Sequence, residues 1–265
     1  MSEKILLIDG SSIAYLHANK PNYQETLYKH IVGLLAKFDT NKFLIIMEDS
    51  STNFRNKVST SVEYKGQRRT EEYKSKIKKY LPYLQEVLQE IKDVYKPITV
   101  KGIENDDAIA ILATRLDNCI MVANDRDYLS VPGEYFNLRN NKIYNISYPG
   151  YITLTDKRKI EATGYYQTFS QIIKGSSKEN YSGLPKYGDV KTFNILKDLY
   201  TFDEMKEKCI ELFKQHYPTE WKSKLEEAFR LCWINTHNEN LITPKINDIR
   251  DIWVEKENNS ESIQT

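Results

Sequence analysis

The feature that most constrains the fold of this chain is a set of short apolar runs, each followed by acidic side chains. The runs and their acids are 5–8 (ILLI) with Asp9, 43–47 (FLIIM) with Glu48 and Asp49, and 119–123 (CIMVA) with Asp125 and Asp127. Continuous apolar runs of this kind are typical of strands that are buried on both faces of a sheet. The carboxyl ends of parallel strands meet at one edge of a sheet, so we expect these acids to lie close together.

Helical patterns lie between the apolar runs. Apolar residues recur at helical spacing over 13–38 and 70–94, and another apolar helix is predicted over 108–116. Pro82 must either kink the second of these helices or open a new helix in its first turn. A short strand at 98–100 and a hairpin over 135–146 complete the pattern. Strands that alternate with helices predict an α/β fold, with a mainly parallel sheet flanked by helices over residues 1–155.

The pattern becomes all-helical after about residue 155. The helices predicted there are 156–163, 168–174, 189–199, 203–216 and 220–234. Residues 175–188 are rich in Gly, Ser and Pro and predict a loop. We therefore expect a second, helical region over residues 156–265.

Composition excludes several classes of protein. The chain has 265 residues, 40% of them hydrophobic, and a formal net charge of +1, which excludes wholesale disorder. A membrane-spanning helix needs roughly 20 apolar residues, and no run approaches that length. The N-terminus lacks the pattern of a signal peptide, and three widely spaced cysteines suggest reduced thiols. We therefore expect a cytoplasmic protein that does not bind membranes.

A fourth acidic group, Glu104-Asn105-Asp106-Asp107, precedes the helix at 108–116. Each group taken alone could be a helix cap or a turn. Together, so many converging carboxylates would repel one another unless cations neutralised them. Carboxylates without histidine favour hard ions such as Mg²⁺ or Mn²⁺, and such sites suit two-metal chemistry on phosphodiesters. Neither a Walker A loop nor a GxGxxG motif occurs.

Basic residues concentrate in one part of the chain. Nine Lys or Arg residues and three Glu residues lie between Arg55 and Lys79. This block could be a solvated helix face, but beside an acidic metal site it favours a surface that binds a polyanion.

Five short motifs occur in an order that is quite specific. They are LLIDGSS at 6–12, EDSSTNFR at 48–55, YKGQR at 64–68, ENDDAIA at 104–110 and ANDRDYLS at 123–130. In these motifs the chain resembles the 5′-nuclease superfamily, the 5′–3′ exonucleases and flap endonucleases, particularly the compact phage or bacterial type. The resemblance covers roughly residues 5–200. It implies a PIN-like core, a helical arch over about 55–95 and a C-terminal helix–two-turn–helix DNA module.

The resemblance also implies roles for individual residues. The metal-binding acids would be Asp9, Asp49, Glu104, Asp106, Asp107, Asp125, Asp127 and Glu179. Glu48 is the rival of Asp49, which is preferred for its spacing to Phe54-Arg55. Lys65 and Arg68 would stabilise charge on the scissile phosphate. Arg55 and Tyr64 would contact DNA, although Tyr64 could equally be one of many tyrosines that pack in the interior.

The helix–two-turn–helix of the family usually begins Gly-Asp-x-x-Asp-Asn and continues Gly-x-x-Gly-x-x-Lys-Thr. The second half is kept here, so the resemblance implies DNA contacts at Gly183, Lys186, Gly188 and Lys191, and a K⁺ ion at this motif. In the first half, Ser176 and Glu179 replace the usual aspartates. Because serine is a poor ligand, the second of two ions is expected to bind more weakly, at Asp127, Glu179 and Asp107.

The resulting functional hypothesis is a metal-dependent, structure-specific 5′ nuclease. Its partners would be DNA with a 5′ flap, a nick or a free 5′ end, and an RNA–DNA hybrid at RNA primers, with the enzyme acting as a monomer. One alternative is a PIN-type ribonuclease, although the segment Gly183–Thr192 argues against it. The other is a branched-DNA binding protein with weakened catalysis, which only Ser176 supports.

Overall fold

The computed structural model describes residues 3–59, 63–78, 81–237 and 247–248. Its strands are β1 (Ile5–Asp9), β2 (Lys42–Asn53), β3 (Ile98–Gly102), β4 (Cys119–Ala123), β5 (Gly133–Asn137), β6 (Lys142–Ile146), β7 (Ile152–Leu154), β8 (Ile160–Ala162) and β9 (Asn247–Asp248). Its helices are α1 (Gly10–His17), α2 (Tyr23–Lys37), α3 (Arg55–Val58), α4 (Glu71–Lys78), α5 (Leu81–Tyr95), α6 (Asn105–Arg115), α7 (Tyr165–Lys174), α8 (Asp189–Leu196), α9 (Phe202–His216) and α10 (Trp221–Cys232). Short 3₁₀ turns occupy Gly66–Arg69 and Arg126–Ser130.

A mainly parallel sheet forms the centre of the molecule. Its strand order is β3-β2-β1-β4-β5-β6, and β9 pairs with β2. The first five strands along this path run parallel, whereas β6 returns antiparallel to β5 in the predicted hairpin. This confirms the predicted fold class. The chain order reverses between β1 and β4, and the crevice at such a reversal is where open α/β sheets bind ligands.

Alternating side chains on the strands build two core layers. Leu6, Ile8, Phe43 and Ile45 belong to a layer that contains residues of α1, α2 and α5. The opposite face packs against α6, and its strand residues are Ile5, Leu7, Leu44, Ile46, Met121 and Ala123. The strands are therefore buried on both sides, as their continuous apolar runs predict.

The C-terminal region has its own core and departs from the sequence prediction at one element. Its buried cluster extends from Ile160 to Cys232 and also includes Tyr64. Residues 156–163 were expected to be a helix, but the structure has an antiparallel hairpin of β7 and β8 instead. Isoleucine and alanine at 160 and 162 are buried while Glu161 is exposed, which is the period of a strand.

Several boundaries also differ from the predicted ones. Strand β2 extends to Asn53, beyond its apolar run, because its later residues still pair with β3. The described residues of the helix expected over 70–94 form α4 and α5, and Pro82 lies in the first turn of α5. Among the described residues, no helix combines the length and apolar character that crossing a bilayer requires. All three cysteines are free thiols.

Candidate active site

An acid-lined cleft opens at the carboxyl ends of the parallel strands. Its volume is about 470 Å³. The charged side chains that line it are Asp9, Glu48, Glu104, Asp106, Asp125, Lys65, Arg68, Arg139 and Lys178. Asp9 ends β1 and Asp125 follows β4, so the cleft lies at the reversal of strand order.

Asp9 is held firmly in place. It caps α1 by accepting a hydrogen bond from the Ser12 amide at 3.0 Å. Asn105 Nδ2 donates to the same carboxylate oxygen at 3.1 Å, and the Tyr128 hydroxyl donates to the other at 3.3 Å. The Oδ1 atom of Asn105 is buried without a hydrogen-bond partner in the structure. This orphaned oxygen beside Asp9 can accept a hydrogen bond from a water bound to an ion.

Glu104 is buried and surrounded by donors. Its carboxylate accepts from Arg55 Nη1 at 2.8 Å, from the Tyr64 hydroxyl at 2.5 Å and from Lys65 Nζ. Burial works to raise the pKa of Glu104, but Lys65 and Arg55 lower it below its usual range. Glu104 therefore anchors the basic residues at the edge of the cleft.

Arg55 and Asp107 form a buried ion pair, which corrects two expectations from the sequence. The Arg55 side chain is 2% exposed and that of Asp107 is fully buried. The backbone amide of Asn235 also donates to Asp107, at 2.8 Å. Arg55 cannot contact a DNA duplex from this position. Both oxygens of Asp107 accept hydrogen bonds from these protein donors and so do not face an ion.

Tyr64 also departs from the expected DNA contact. It is 5% exposed, belongs to the C-terminal core cluster and donates its hydroxyl hydrogen to Glu104. A ring buried in this way cannot stack on a base, so the structure corrects that expectation in favour of packing.

Strand register separates Glu48 from Asp49. Glu48 lines the acid cleft and also a neighbouring pocket beside Lys65 and Arg68, whereas Asp49 lines the neighbouring pocket but not the cleft. Burial, followed by the charge of Glu104, raises the pKa of Glu48. The carboxylate that lines the cleft together with Asp9 is Glu48, so this geometry favours Glu48 over Asp49 as a candidate ligand.

Asp106 lines the cleft close to two other carboxylates, Glu104 and Asp107. Burial and then the charges of Glu104 and Asp107 raise its pKa well above the usual range. Among the described residues, no three His, Cys, Asp or Glu side chains are placed closely enough to coordinate one metal ion as they stand. Asp9, Glu48, Asp106 and Asp125 nevertheless face one cleft, and Mg²⁺ needs only one or two carboxylates because it keeps several waters. The donor set therefore fits one hard divalent ion.

Asp125 and Asp127 are bridged by a lysine. Lys178 Nζ donates to Asp125, and it donates to Asp127 at 2.5 Å. Gln171 Nε2 donates to the other oxygen of Asp127 at 2.9 Å. Burial would raise the pKa of Asp127, but Lys178 and Gln171 lower it to about 2. Both Asp127 oxygens are thus occupied by donors from the protein.

Glu179 lies on the far side of Lys178 and is buried. Its Oε2 atom has no hydrogen-bond partner and lies 3.8 Å from Lys65 Nζ. Burial raises the pKa of Glu179. Ser176, at the other position where the family has an acid, pairs its backbone with Tyr181. Two of the acids expected to hold a second ion, Asp127 and Glu179, therefore lie beside the Lys178 ammonium group.

Lys65 and Arg68 lie at the 3₁₀ turn Gly66–Arg69 and line the cleft together. Arg68 is exposed, and Lys65 is half-buried with φ of +51° immediately before the 3₁₀ turn. Both cations are close enough to the acids to meet a phosphate that enters the cleft.

The helix–two-turn–helix segment is built on close backbone contacts. Gly183 has φ of +69°, and a Cβ there would lie 2.2 Å from the Gly175 nitrogen. Gly188 caps α8 with extended backbone and open space around it. Lys186 and Lys191 are exposed, and Lys191 Nζ lies 3.6 Å from the centroid of the Tyr187 ring. The segment therefore presents two lysines to solvent.

Sequence reasoning missed two residues of this site, Asn105 and Lys178. Asn105 was passed over as part of an acidic group, although an amide in such a group can orient a carboxylate. Lys178 lies in the segment Gly175–Asn180, and the available signal was a lysine among positions where the family has metal-binding acids.

The chain belongs to the 5′–3′ exonuclease family, because the profile of the family's N-terminal resolvase-like domain matches residues 4–163. A 5′–3′ exonuclease of Buchnera aphidicola from Schizaphis graminum is 28% identical over 221 residues, which cover 74% of this chain and 72% of the relative. The flap endonuclease of Escherichia phage T5 is 22% identical over 214 residues, covering 73% and 69%.

Solved structures share the fold. T5 5′-exonuclease with bound zinc ions superposes with a TM-score of 0.64 at 17% identity, covering 86% of this chain and 89% of that one. The sequence-based resemblance to 5′ nucleases is confirmed, and the chain is a hydrolase of phosphodiester bonds.

Proposed function

We propose that this protein is a metal-dependent 5′ nuclease that cuts DNA near a 5′ flap, a nick or a free 5′ end during replication or repair. The observation that carries the proposal is the cleft itself. Acids at the ends of β1 and β4, within β2 and at the start of α6 face Lys65 and Arg68 across one opening. A phosphate held by the two cations would lie directly beside the carboxylates.

The acids Asp9, Glu48, Asp106 and Asp125 would hold one Mg²⁺ or Mn²⁺ ion. Such an ion supplies an activated water and neutralises phosphate charge. In the hydrolysis one water is consumed: its oxygen bonds to phosphorus, one P–O ester bond breaks, and the leaving oxygen takes up a proton.

Lys65 and Arg68 have different roles in this proposal. Arg68 is exposed and offers a planar fork of donors that matches two phosphate oxygens. Lys65 is a point charge fixed by Glu104, so it is poised for the negative charge that develops during reaction. Neither residue needs to accept or donate the reacting proton.

Residues 156–265 would bind duplex DNA through the helix–two-turn–helix. The exposed Lys186 and Lys191 would contact phosphates next to the start of α8. The K⁺ ion at this motif, activity on RNA–DNA hybrids, action as a monomer and a place in the cytoplasm of a bacterium or a phage-infected cell remain predictions from the family resemblance.

The test is incubation of a 5′-labelled flap duplex with and without Mg²⁺, followed by sizing of the products. We expect cleavage near the flap junction only with the ion. Asp125→Asn should abolish cleavage while DNA binding persists, because the amide keeps the shape and removes charge. Asp117→Asn is the matched control, since Asp117 is exposed in the turn before β4.

Two results would overturn the proposal. Preferential cleavage of single-stranded RNA would indicate a PIN-type ribonuclease. Tight binding of the flap without cleavage at any Mg²⁺ concentration would indicate a branched-DNA binding protein.

A further inference from the structure

The six-residue loop that carries Lys178 is braced at several points. The backbones of Ser176 and Tyr181 exchange hydrogen bonds at 2.8 and 2.9 Å, which closes the loop. Gln67, from the turn below the arch, donates to the carbonyl oxygens of Ser177 and Lys178 at 3.1 and 2.5 Å. Asn180 donates to the Glu63 carbonyl at 2.9 Å. The position of Lys178 is therefore built by the fold rather than left to a free surface side chain.

The Lys178 ammonium lies among three carboxylates. It donates to Asp125 and Asp127, and Glu179 Oε1 is 4.0 Å away. An ammonium offers three donors and no acceptor, which matches a pocket made of carboxylate oxygens.

A divalent ion does not fit the same pocket. To bind Asp125 and Asp127 together, it would have to displace Lys178 from one carboxylate and Gln171 from its bond to Asp127. The displaced ammonium would then lie beside the ion, where like charges repel. Ser176 adds no negative charge that could offset this repulsion.

We propose that Lys178 takes the place of the second divalent ion, so that this chain carries one cation of its own and binds one divalent ion in the acid cleft. The inference rests on the proposed nuclease function, since it concerns the same cleft. Because Lys178 also lines the cleft, its charge would face the phosphate that Lys65 and Arg68 hold.

The test counts bound ions on the free protein, without DNA. Mn²⁺ is titrated into the full chain, and unbound Mn²⁺ is measured by electron paramagnetic resonance. The parent should bind one ion. Lys178→Met keeps an unbranched side chain that is one atom shorter and removes its charge, so this variant should bind two. Lys174→Met is the matched control and should bind one, because Lys174 pairs with Asp189 outside the cleft.

The possible results separate the two proposals. Two ions on the parent, or one ion on both parent and Lys178→Met, would overturn the inference and leave the nuclease function standing. No ion on the parent would overturn the metal-dependent function and the inference with it.

A melting experiment provides a second measurement. In EDTA, Lys178→Met should melt at a lower temperature than the parent, because Asp125 and Asp127 are left without a counter-charge. Mn²⁺ should raise its Tm more than it raises the parent's, because binding at an additional site stabilises the native state. Equal Tm increases for parent and variant would contradict the proposed exchange of lysine for an ion.

Discussion

The Arg55 guanidinium donates two parallel hydrogen bonds to the carboxylate of Asp107, with N–O distances of 2.6 and 2.9 Å. The same guanidinium donates to the Trp233 carbonyl at 2.9 Å. This one pair therefore joins three parts of the chain: the start of α3, helix α6 and the segment after α10. It fixes the position of the C-terminal segment relative to the cleft.

Arg55→Met should destabilise the protein strongly. The substitution leaves Asp107 buried without its counter-charge, and breaking a buried pair in this way costs about 3–5 kcal/mol. Thermal unfolding of parent and variant at neutral pH measures the loss as a lower Tm. Arg69→Met is the control, because Arg69 pairs with Glu63 while its side chain is 69% exposed. Similar Tm changes in the two variants would contradict the role of Arg55.

Glu48→Gln should weaken metal-dependent cleavage far more than Asp49→Asn. Loss of even an indirect partner of a metal costs about 10–100-fold in affinity, so loss of a direct ligand should cost at least as much. The Mg²⁺ concentration for half-maximal flap cleavage measures this effect in each variant. If Asp49→Asn raised that concentration more than Glu48→Gln, the assignment drawn from strand register would be wrong.

The choice between Glu48 and Asp49 shows how much of the site could be predicted from sequence. Strand residues at 5 and 7, at 44 and 46, and at 121 and 123 share the face that packs on α6. Because successive side chains of a strand point to opposite faces, Asp9, Glu48 and Asp125 lie on this same face. The apolar runs therefore predicted the sheet and the converging acids, and the alternation itself would have selected Glu48.

Other parts of the site depend on contacts distant in sequence. Arg55 and Asp107 are buried because α10 and the residues after it cover them, and no local pattern at residue 55 indicates this cover. Lys178 reaches Asp125 and Asp127 only because Gln67 and Asn180 brace its loop against the foot of the arch. The hairpin at 152–162 was missed because each of its strands is only three residues long, too short for a clear period.

Lys65→Ala should lower turnover more than it lowers DNA affinity. One electrostatic contact to charge that develops in the transition state is worth about 10²–10³-fold in rate. Single-turnover rates and equilibrium binding, measured on the same flap duplex, separate the two effects. Lys74→Ala is the control, because Lys74 is exposed and pairs with Glu71 on α4. Weaker binding with a normal single-turnover rate would instead make Lys65 a simple phosphate contact. In that case the salt dependence of DNA affinity would fall by about one released counterion.

Stability should fall as the pH falls from about 6.5 towards 5, because of a buried histidine pair. His17 Nε2 lies 2.9 Å from His30 Nδ1, and such a contact needs one nitrogen as acceptor. Burial, with Lys20 and His30 nearby, lowers the pKa of His17 to about 4. In the unfolded chain the pKa of His17 is near its usual value of about 6.5. Between pH 6.5 and about 4 the unfolded chain therefore binds more protons than the native state, so a lower pH favours unfolding.

The variant His17→Gln tests the histidine effect. Its Tm should change less than that of the parent between pH 7 and about pH 5, since one titrating group has been removed. Buried carboxylates with raised pKa values, such as Glu48 and Asp106, are the same in parent and variant, so the difference between the two Tm profiles reports the histidine. Parallel Tm profiles for parent and variant would assign the acid sensitivity to other groups.

Ser176→Asp should strengthen metal binding only after Lys178 has been removed. In the parent, an added carboxylate near the loop would meet the Lys178 ammonium rather than an ion, and Asp caps a turn about as well as Ser. In the Lys178→Met background, the same carboxylate would join Asp127 and Glu179 around a divalent ion. The dissociation constant for Mn²⁺ on the free protein measures both changes, and we expect tighter binding of a second ion in the double variant alone. An equal gain in affinity from Ser176→Asp in both backgrounds would mean that Lys178 and the ion do not compete for one place.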